Sequence, residues 1–332
     1  MTRFRPHPWT IGPHRQTLLG YWSRCRLRWT LPQEDLWVPV GDEARLLVRV
    51  TWQPGRREDH PLLLLIHGLG GSDLATYAVS AGHLAFSRGF HVARMNMRGA
   101  GDSERENPRF YNAGLDTDVL EVLRALEPAC AHLSVLGFSL GASVGLLALG
   151  RQRERIPARV RGMAAVCPPL DLSACASALE GPAGRLYTGY FMRSLRDAYK
   201  RRQRRHPGLY EAGREGETRT VRQFDERITA HYGGYRDAED YYARSSAGPW
   251  LTAIDRPTLV LAAQDDPMVP EASVRRFPLP ASGLVEREVL TTGGHMGFVA
   301  PAEAPGSFWA ADRVLEWLVA KVPAGPSTPD LR

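Results

Sequence analysis

The segment 135–145, VLGFSLGASVG, places Ser139 between Gly137 and Gly141 where an apolar run gives way to helix-forming residues. A serine hydroxyl is a poor nucleophile unless a base takes its proton, so Ser139 has chemistry only in company. The stretch LTTGGHMGF (290–298) supplies a base, His295, whose flanking glycines let a loop present it without bulky neighbours. PTLVLAAQDDPMVP (257–270) supplies a carboxylate: Asp265 and Asp266 leave the end of an apolar run, and Pro267 and Pro270 force an exposed turn. Only one of the two can face the histidine. The D-x-x-V-P spacing through Val269 and Pro270 favours Asp266, leaving Asp265 as a solvated turn residue or a hydrogen-bond partner behind it. A fourth stretch, LLLLIHGLGGSD (62–73), sets His67, Gly68 and Leu69 after another apolar run. Its glycines let backbone approach a substrate, and the Leu69 N–H is expected to pair with that of Leu140 around a developing oxyanion. His67 reads as a structural hydrogen-bonder rather than a catalyst. Ser139, Asp266 and His295 together would make a nucleophile, an orienting acid and a base in that chain order.

Such residues need a rigid frame. Continuous apolar runs at 61–68, 90–96, 133–139, 162–168 and 257–264 read as strands buried on both faces of a parallel sheet. An alternating run at 44–52 reads as an early antiparallel strand, and 284–290 as a strand leading into the His295 loop. Helices are expected at about 74–87, 115–127, 140–150 and 307–322, which makes an α/β, mostly parallel, doubly wound sheet. Gly137 and Gly141 are expected because a side chain at either would strike a neighbouring strand or helix. NMRGAGDS (96–103) follows the second apolar run, and Arg98 there is expected to tie loops together.

The rhythm breaks once. Residues 171–250 hold no buried strand and read as a mainly helical cap inserted over the strand ends, between core segments 36–170 and 251–321. Its aromatic residues Tyr187, Tyr190, Phe191, Phe224, Tyr232 and Tyr235 would either line an acyl-binding wall or pack the cap on the body. Residues 1–35, rich in tryptophan, proline and glycine, read as an extended N-terminal arm. Residues 322–332 read as a flexible tail.

Composition narrows the chemistry. The chain has 332 residues, 43% of them hydrophobic, with no apolar run of the roughly 18 residues a membrane span needs. The N-terminal MTRFRPHPWT lacks a signal-peptide core, so a cytoplasmic protein is expected. Cys25, Cys130, Cys167 and Cys175 are scattered, without metal-ligand spacing, and read as reduced thiols; no metal and no cofactor are expected. The formal charge is +6. It is local: between residues 193 and 222 ten arginines and lysines meet four acids, and a second cluster of Arg3, Arg5, Arg15, Arg24, Arg26 and Arg28 precedes the first acid, Glu34. Both clusters read as solvated surface or as contact with anionic lipid or substrate. No zinc-finger spacing or RNP-type aromatic signature points to nucleic acid.

With these residues in place the chain resembles the α/β-hydrolase superfamily, and within it the YheT-like branch. The resemblance rests on GPHRQTLLG, HGLGGS, NMRGAGDS, RFYNAGLDTDVLEVLRAL, GFSLGA, CPPLDL, VRQFDERITAHYGGYRDAEDYYARSS, AQDDPMVP and GGHMGF, which span most of the chain from Pro13 to about Trp317. The cap stretch 221–246 is the most discriminating. Membership implies Ser139, Asp266 and His295 as a catalytic triad and cleavage of a small-molecule carboxylic ester, an acylglycerol or another lipid ester included. Related eukaryotic members are membrane-anchored lipid hydrolases, whereas this sequence shows no N-terminal apolar anchor. Acyl transfer on the same serine is a second reading, and a ligand-binding protein on the same fold a third. A dehalogenase or epoxide hydrolase would need an aspartate at position 139.

Overall fold

Runs such as LLLLI have no polar face, so both sides of the strand they form must be covered. The computed structural model describes residues 4–41, 43–110, 112–301 and 308–322. Eight strands form one sheet: β1 (Glu34–Val40), β2 (Ala44–Thr51), β3 (Leu62–Ile66), β4 (His91–Met95), β5 (Leu133–Phe138), β6 (Val160–Val166), β7 (Thr258–Ala263) and β8 (Val285–Leu290). Their spatial order is β1-β2-β4-β3-β5-β6-β7-β8. β1 pairs antiparallel with β2 and β2 with β4, and every later pairing is parallel.

Helix α1 (Pro13–Arg24) precedes the sheet, and α2 (Thr76–Ser87), α3 (Asp116–Leu126) and α4 (Leu140–Arg151) connect its central strands. Leu62, Leu64 and Ile66 of β3 join a core with Val119, Leu120 and Leu123 of α3 and Val144 and Leu147 of α4. Leu63 and Leu65 point the other way, into a core with Ala78, Ala81 and Ala85 of α2 and with Val314, Leu315 and Leu318 of the final helix, Trp309–Lys321. A fully buried leucine contributes about 1.5–3 kcal/mol against about 1 kcal/mol net for a backbone hydrogen bond. The leucines of β3 therefore place it centrally more firmly than its ladder does.

Between β6 and β7 the chain runs through α5 (Leu172–Glu180), α6 (Arg185–Arg205), shorter helical turns, a helix at Ala238–Ser245 and a last turn at Gly248–Ala253. This region has its own core, in which Tyr187, Tyr199, Phe224 and Ile228 pack with Met268 from the turn after β7, and Phe191 and Tyr232 lean on it. Tyr235 packs on the sheet-side core, and Tyr190 stands 62% exposed. Five of the six aromatic residues expected as an acyl-binding wall or as packing thus pack.

Two N-terminal features differ from the sequence reading. The segment expected as an extended arm contains α1, a helix with Pro13 at its first position, where the missing N–H costs nothing. Its buried stripe is Gln16, Gly20 and Arg24, which carries no apolar periodicity to read. β1 begins at Glu34, before the expected core boundary at residue 36; it is an edge strand that buries Val38 and Val40 only. Of the expected flexible tail, 322–332, Val322 is described and buried in the core beside the final helix, and 323 onward lies outside the described residues.

Candidate active site

Ser139 follows β5 and caps α4 with φ 50° and ψ −122°, a conformation that costs a non-glycine residue about 1–3 kcal/mol. The surroundings enforce it. A Cβ on Gly137 would lie 2.5 Å from the Ala142 Cα, and one on Gly141 would lie 2.3 Å from the His67 carbonyl oxygen. Strand, helix and the end of β3 therefore meet at distances only glycine permits. The Ser139 N–H donates to the Val166 carbonyl at 2.8 Å, which pins the turn to β6. Leu140 begins α4, at the helix end whose leading N–H groups lack the intrahelical partners of later turns.

His295 Nε2 lies 2.9 Å from Ser139 Oγ, and His295 Nδ1 lies 2.8 Å from Asp266 Oδ2. Since a carboxylate only accepts, Nδ1 carries the proton and Nε2 faces the hydroxyl as an acceptor. Asp266 is held from behind: its Oδ1 accepts the N–H groups of Met268 at 2.8 Å and Val269 at 3.0 Å. This is the turn chemistry the prolines impose. Asp265 serves a different purpose, accepting the Gly294 N–H at 2.8 Å and so holding the loop before His295. Burial raises the Asp265 carboxyl above its ordinary range, against the pull of the Gly294 and Gly293 N–H groups.

The His67 loop reaches the serine from the other side. A Cβ on Gly68 would lie 3.1 Å from that of Ser139, and the Gly71 N–H donates to the Gly68 carbonyl at 3.1 Å, closing the turn that carries Leu69. The Gly68 N–H donates to Tyr77 Oη at 2.8 Å. His67 Nε2 accepts the Met97 N–H at 3.1 Å, so its Nδ1–H donates to the Gly68 carbonyl at 2.8 Å. Burial pushes His67 down to about 4, keeping it neutral although the Gly68 carbonyl and Asp73 pull upward. His67 is thus a tie between the loops after β3 and β4. Nearby, Arg98 donates through Nε and Nη2 to both carboxylate oxygens of the buried Asp118, at 2.9 and 2.6 Å.

Two contributions have no role assigned from the sequence, although Gln16, Thr17 and Gly20 lie within GPHRQTLLG. The His295 loop is gripped by α1: the His295 N–H donates to Thr17 Oγ1 at 2.9 Å, the Val299 N–H to Gln16 Oε1 at 2.7 Å, and Arg24 Nη2 to the Met296 carbonyl at 2.8 Å. A Cβ on Gly20 would lie 2.7 Å from the Gly297 Cα. The second is Cys167, which follows β6 with φ 50° and is fully buried. Its Sγ and one ligand atom each of Asp266 and His295 lie within 4.8 Å of one another. These three donors match a zinc set by type, but binding needs a thiolate. Burial, and then the charge of Asp266, push the Cys167 thiol well above its ordinary range. The strand order, which sets β6 beside β5, brings this cysteine to the serine's side.

A parallel sheet wrapped by helices, with a strained serine at a strand-to-helix turn and a histidine and carboxylate behind later strands, defines an α/β-hydrolase architecture. The family model described as alpha/beta hydrolase fold matches residues 61–301, and the chain belongs to that family. Among its relatives is the Escherichia coli (strain K12) protein YheT, an esterase by name, 30% identical over 311 residues that cover 92% of this chain and 89% of YheT. The monoacylglycerol lipase of Saccharomyces cerevisiae is 28% identical over 275 residues, 78% of this chain and 59% of the lipase. Of solved structures, the Pyrococcus furiosus esterase Pf2001 overlays with a TM-score of 0.58 at 14% identity, covering 98% of this chain and 100% of that one, which speaks to the fold.

Proposed function

We propose that this chain is a serine hydrolase that cleaves carboxylic esters through an acyl-enzyme intermediate, with Ser139, His295 and Asp266 as its catalytic residues. The observation that carries the reading is the continuous chain of contacts from Ser139 Oγ to His295 Nε2 at 2.9 Å and from His295 Nδ1 to Asp266 Oδ2 at 2.8 Å. Ser139 attacks the acyl carbonyl as His295 Nε2 takes its proton. Asp266 stabilises the resulting imidazolium, which returns the proton to the leaving alcohol. Water then attacks the acyl-enzyme with His295 as base. The Leu69 and Leu140 N–H groups receive the oxyanion, helped by the positive end of α4. Gly137 and Gly141 hold the serine's turn, and Gly68 and His67 its neighbouring loop.

The names of the YheT esterase and the yeast monoacylglycerol lipase support an ester as the bond cleaved and a lipid ester as a substrate. A cytoplasmic location with contact at a membrane surface accompanies this reading. All four cysteines are unpaired, as a reducing compartment favours. No helix among the described residues is long and apolar enough to cross a membrane.

The test is covalent. A fluorophosphonate probe is expected to label wild-type protein at Ser139 and to leave Ser139→Ala unlabelled, with nitrophenyl-ester hydrolysis falling by several orders of magnitude. Absence of label at Ser139 in active, folded wild type would falsify the assignment.

A further inference from the structure

The faces that α1, the segment before it and the start of α6 turn to solvent are apolar where charge is the rule. Trp9 is 78% exposed, Ile11 67%, Trp22 62% and Tyr21 55%; on α6, Leu186 is 58% exposed and Tyr190 62%. Single exposed apolar residues are ordinary, whereas a cluster of them calls for a partner. The two helices touch: His14 Nδ1 and Tyr187 Oη are 2.9 Å apart with their rings stacked, and Tyr21 lies close enough to Tyr190 to influence it, so the exposed residues of α1 and of the start of α6 adjoin.

That surface is uniformly basic at its rim. Arg15, Arg26, Arg185 and Arg193 are exposed, and neither 4–33 nor 181–196 contains an aspartate or glutamate. Beyond Tyr190 a groove of about 380 Å³ opens on α6, lined by Arg193, Arg196, Lys200 and Arg219 with Asp197 as the one acid among its lining residues. Aromatic rings suit the headgroup layer of a bilayer, and each arginine near an anionic surface contributes roughly a fivefold gain in affinity. The opposite sides of the same helices touch the site. Thr17 of α1 holds the His295 N–H. Ser194 of α6 lies so close to Gly70, in the loop carrying Leu69, that a Cβ there would sit 3.1 Å from its Oγ.

We propose that this face seats the protein on an anionic lipid surface, with the aromatic side chains in the headgroup layer and the arginines and the α6 groove on lipid phosphates. Resting on the ester-hydrolase reading, it names the substrate class as a lipid ester taken from that surface. A clear excess of positive charge over two helices and a groove, with Asp197 as its one acid, is what a phosphate-rich plane requires. A protein partner would have to be acidic throughout.

Co-sedimentation with phosphatidylcholine vesicles, with and without phosphatidylglycerol, tests the surface without catalysis. Wild type and Ser139→Ala are both expected to bind the anionic vesicles at least about tenfold more tightly, with binding weakened by high salt. The double variants Trp9→Ser with Trp22→Ser, and Arg15→Glu with Arg193→Glu, are each expected to lose about tenfold or more in vesicle affinity while hydrolysing nitrophenyl butyrate like wild type. Equal binding to neutral and anionic vesicles, or double variants that bind like wild type, overturns the proposal. So does a polyglutamate peptide that binds as tightly as the anionic vesicles, because it assigns the face to an acidic protein. Since Ser139→Ala reports docking alone, failure of the ester reading and failure of the surface are separable.

Discussion

Thr17 Oγ1 accepts the backbone N–H of His295 at 2.9 Å across 278 positions of sequence. The residue that places the His295 peptide group thus comes from the N-terminal helix and not from the sheet. Thr17→Val keeps the shape and removes the acceptor, and one hydrogen bond is worth about 1 kcal/mol net. The expected result is a kcat lowered about three- to tenfold with KM little changed, and recovery in Thr17→Ser. Nitrophenyl-ester kinetics read both constants. A wild-type kcat in Thr17→Val would mean that the loop is held well enough without this contact.

The two adjacent aspartates should separate sharply. Asp266→Asn leaves the imidazole without its carboxylate and is expected to lower kcat by about 10⁴. Asp265→Ala loses the hold on the backbone N–H groups of Gly294 and Gly293, a loss of about tenfold. Stopped assays on the same ester compare them, and the reverse order would transfer the orienting role to Asp265.

His67 gives the fold a pH signature. Its folded value is about 4 and its ordinary one 6.5, so the unfolded chain binds the proton more readily. The stability it contributes is complete above about pH 6.5 and is lost as pH falls toward 4. Between pH 6.5 and 5 the loss amounts to about 1.5 kcal/mol. Urea unfolding of wild type and His67→Gln over that interval measures it: wild type is expected to decline by that much more than the variant. Parallel declines would remove His67 as the cause.

Cys167 sits at φ 50° against the histidine–aspartate pair. A β-branched side chain is poorly tolerated there, so Cys167→Val is expected to cost about 1–2 kcal/mol in stability. The same change is expected to lower turnover by displacing the pair, whereas Cys167→Gly relieves the backbone. Thermal melts and ester assays on the two variants distinguish them, and a Cys167→Val protein as stable and active as wild type would contradict the account.

What was legible in the sequence was whatever close packing writes into residue type. Gly137 and Gly141 announce Ser139 because no side chain fits at either position, and Pro267 and Pro270 announce the turn that Asp266 closes. The buried strands were legible because both of their faces are covered. Three features left no such mark. The buried stripe of α1 is glutamine, glycine and arginine, so helical periodicity in hydrophobicity is absent. β1 exposes most of its length at the sheet edge. Cys167 acquires its neighbours only when β6 is laid beside β5, and no local spacing encodes that order.

Gly20 against Gly297 leaves room for no side chain between the N-terminal helix and the loop after His295. Two stretches at opposite ends of the chain therefore behave as one cassette. A chimera that takes its first helix from a relative without the matching loop would join halves cut to different templates, and a side chain at either glycine would force the seam apart.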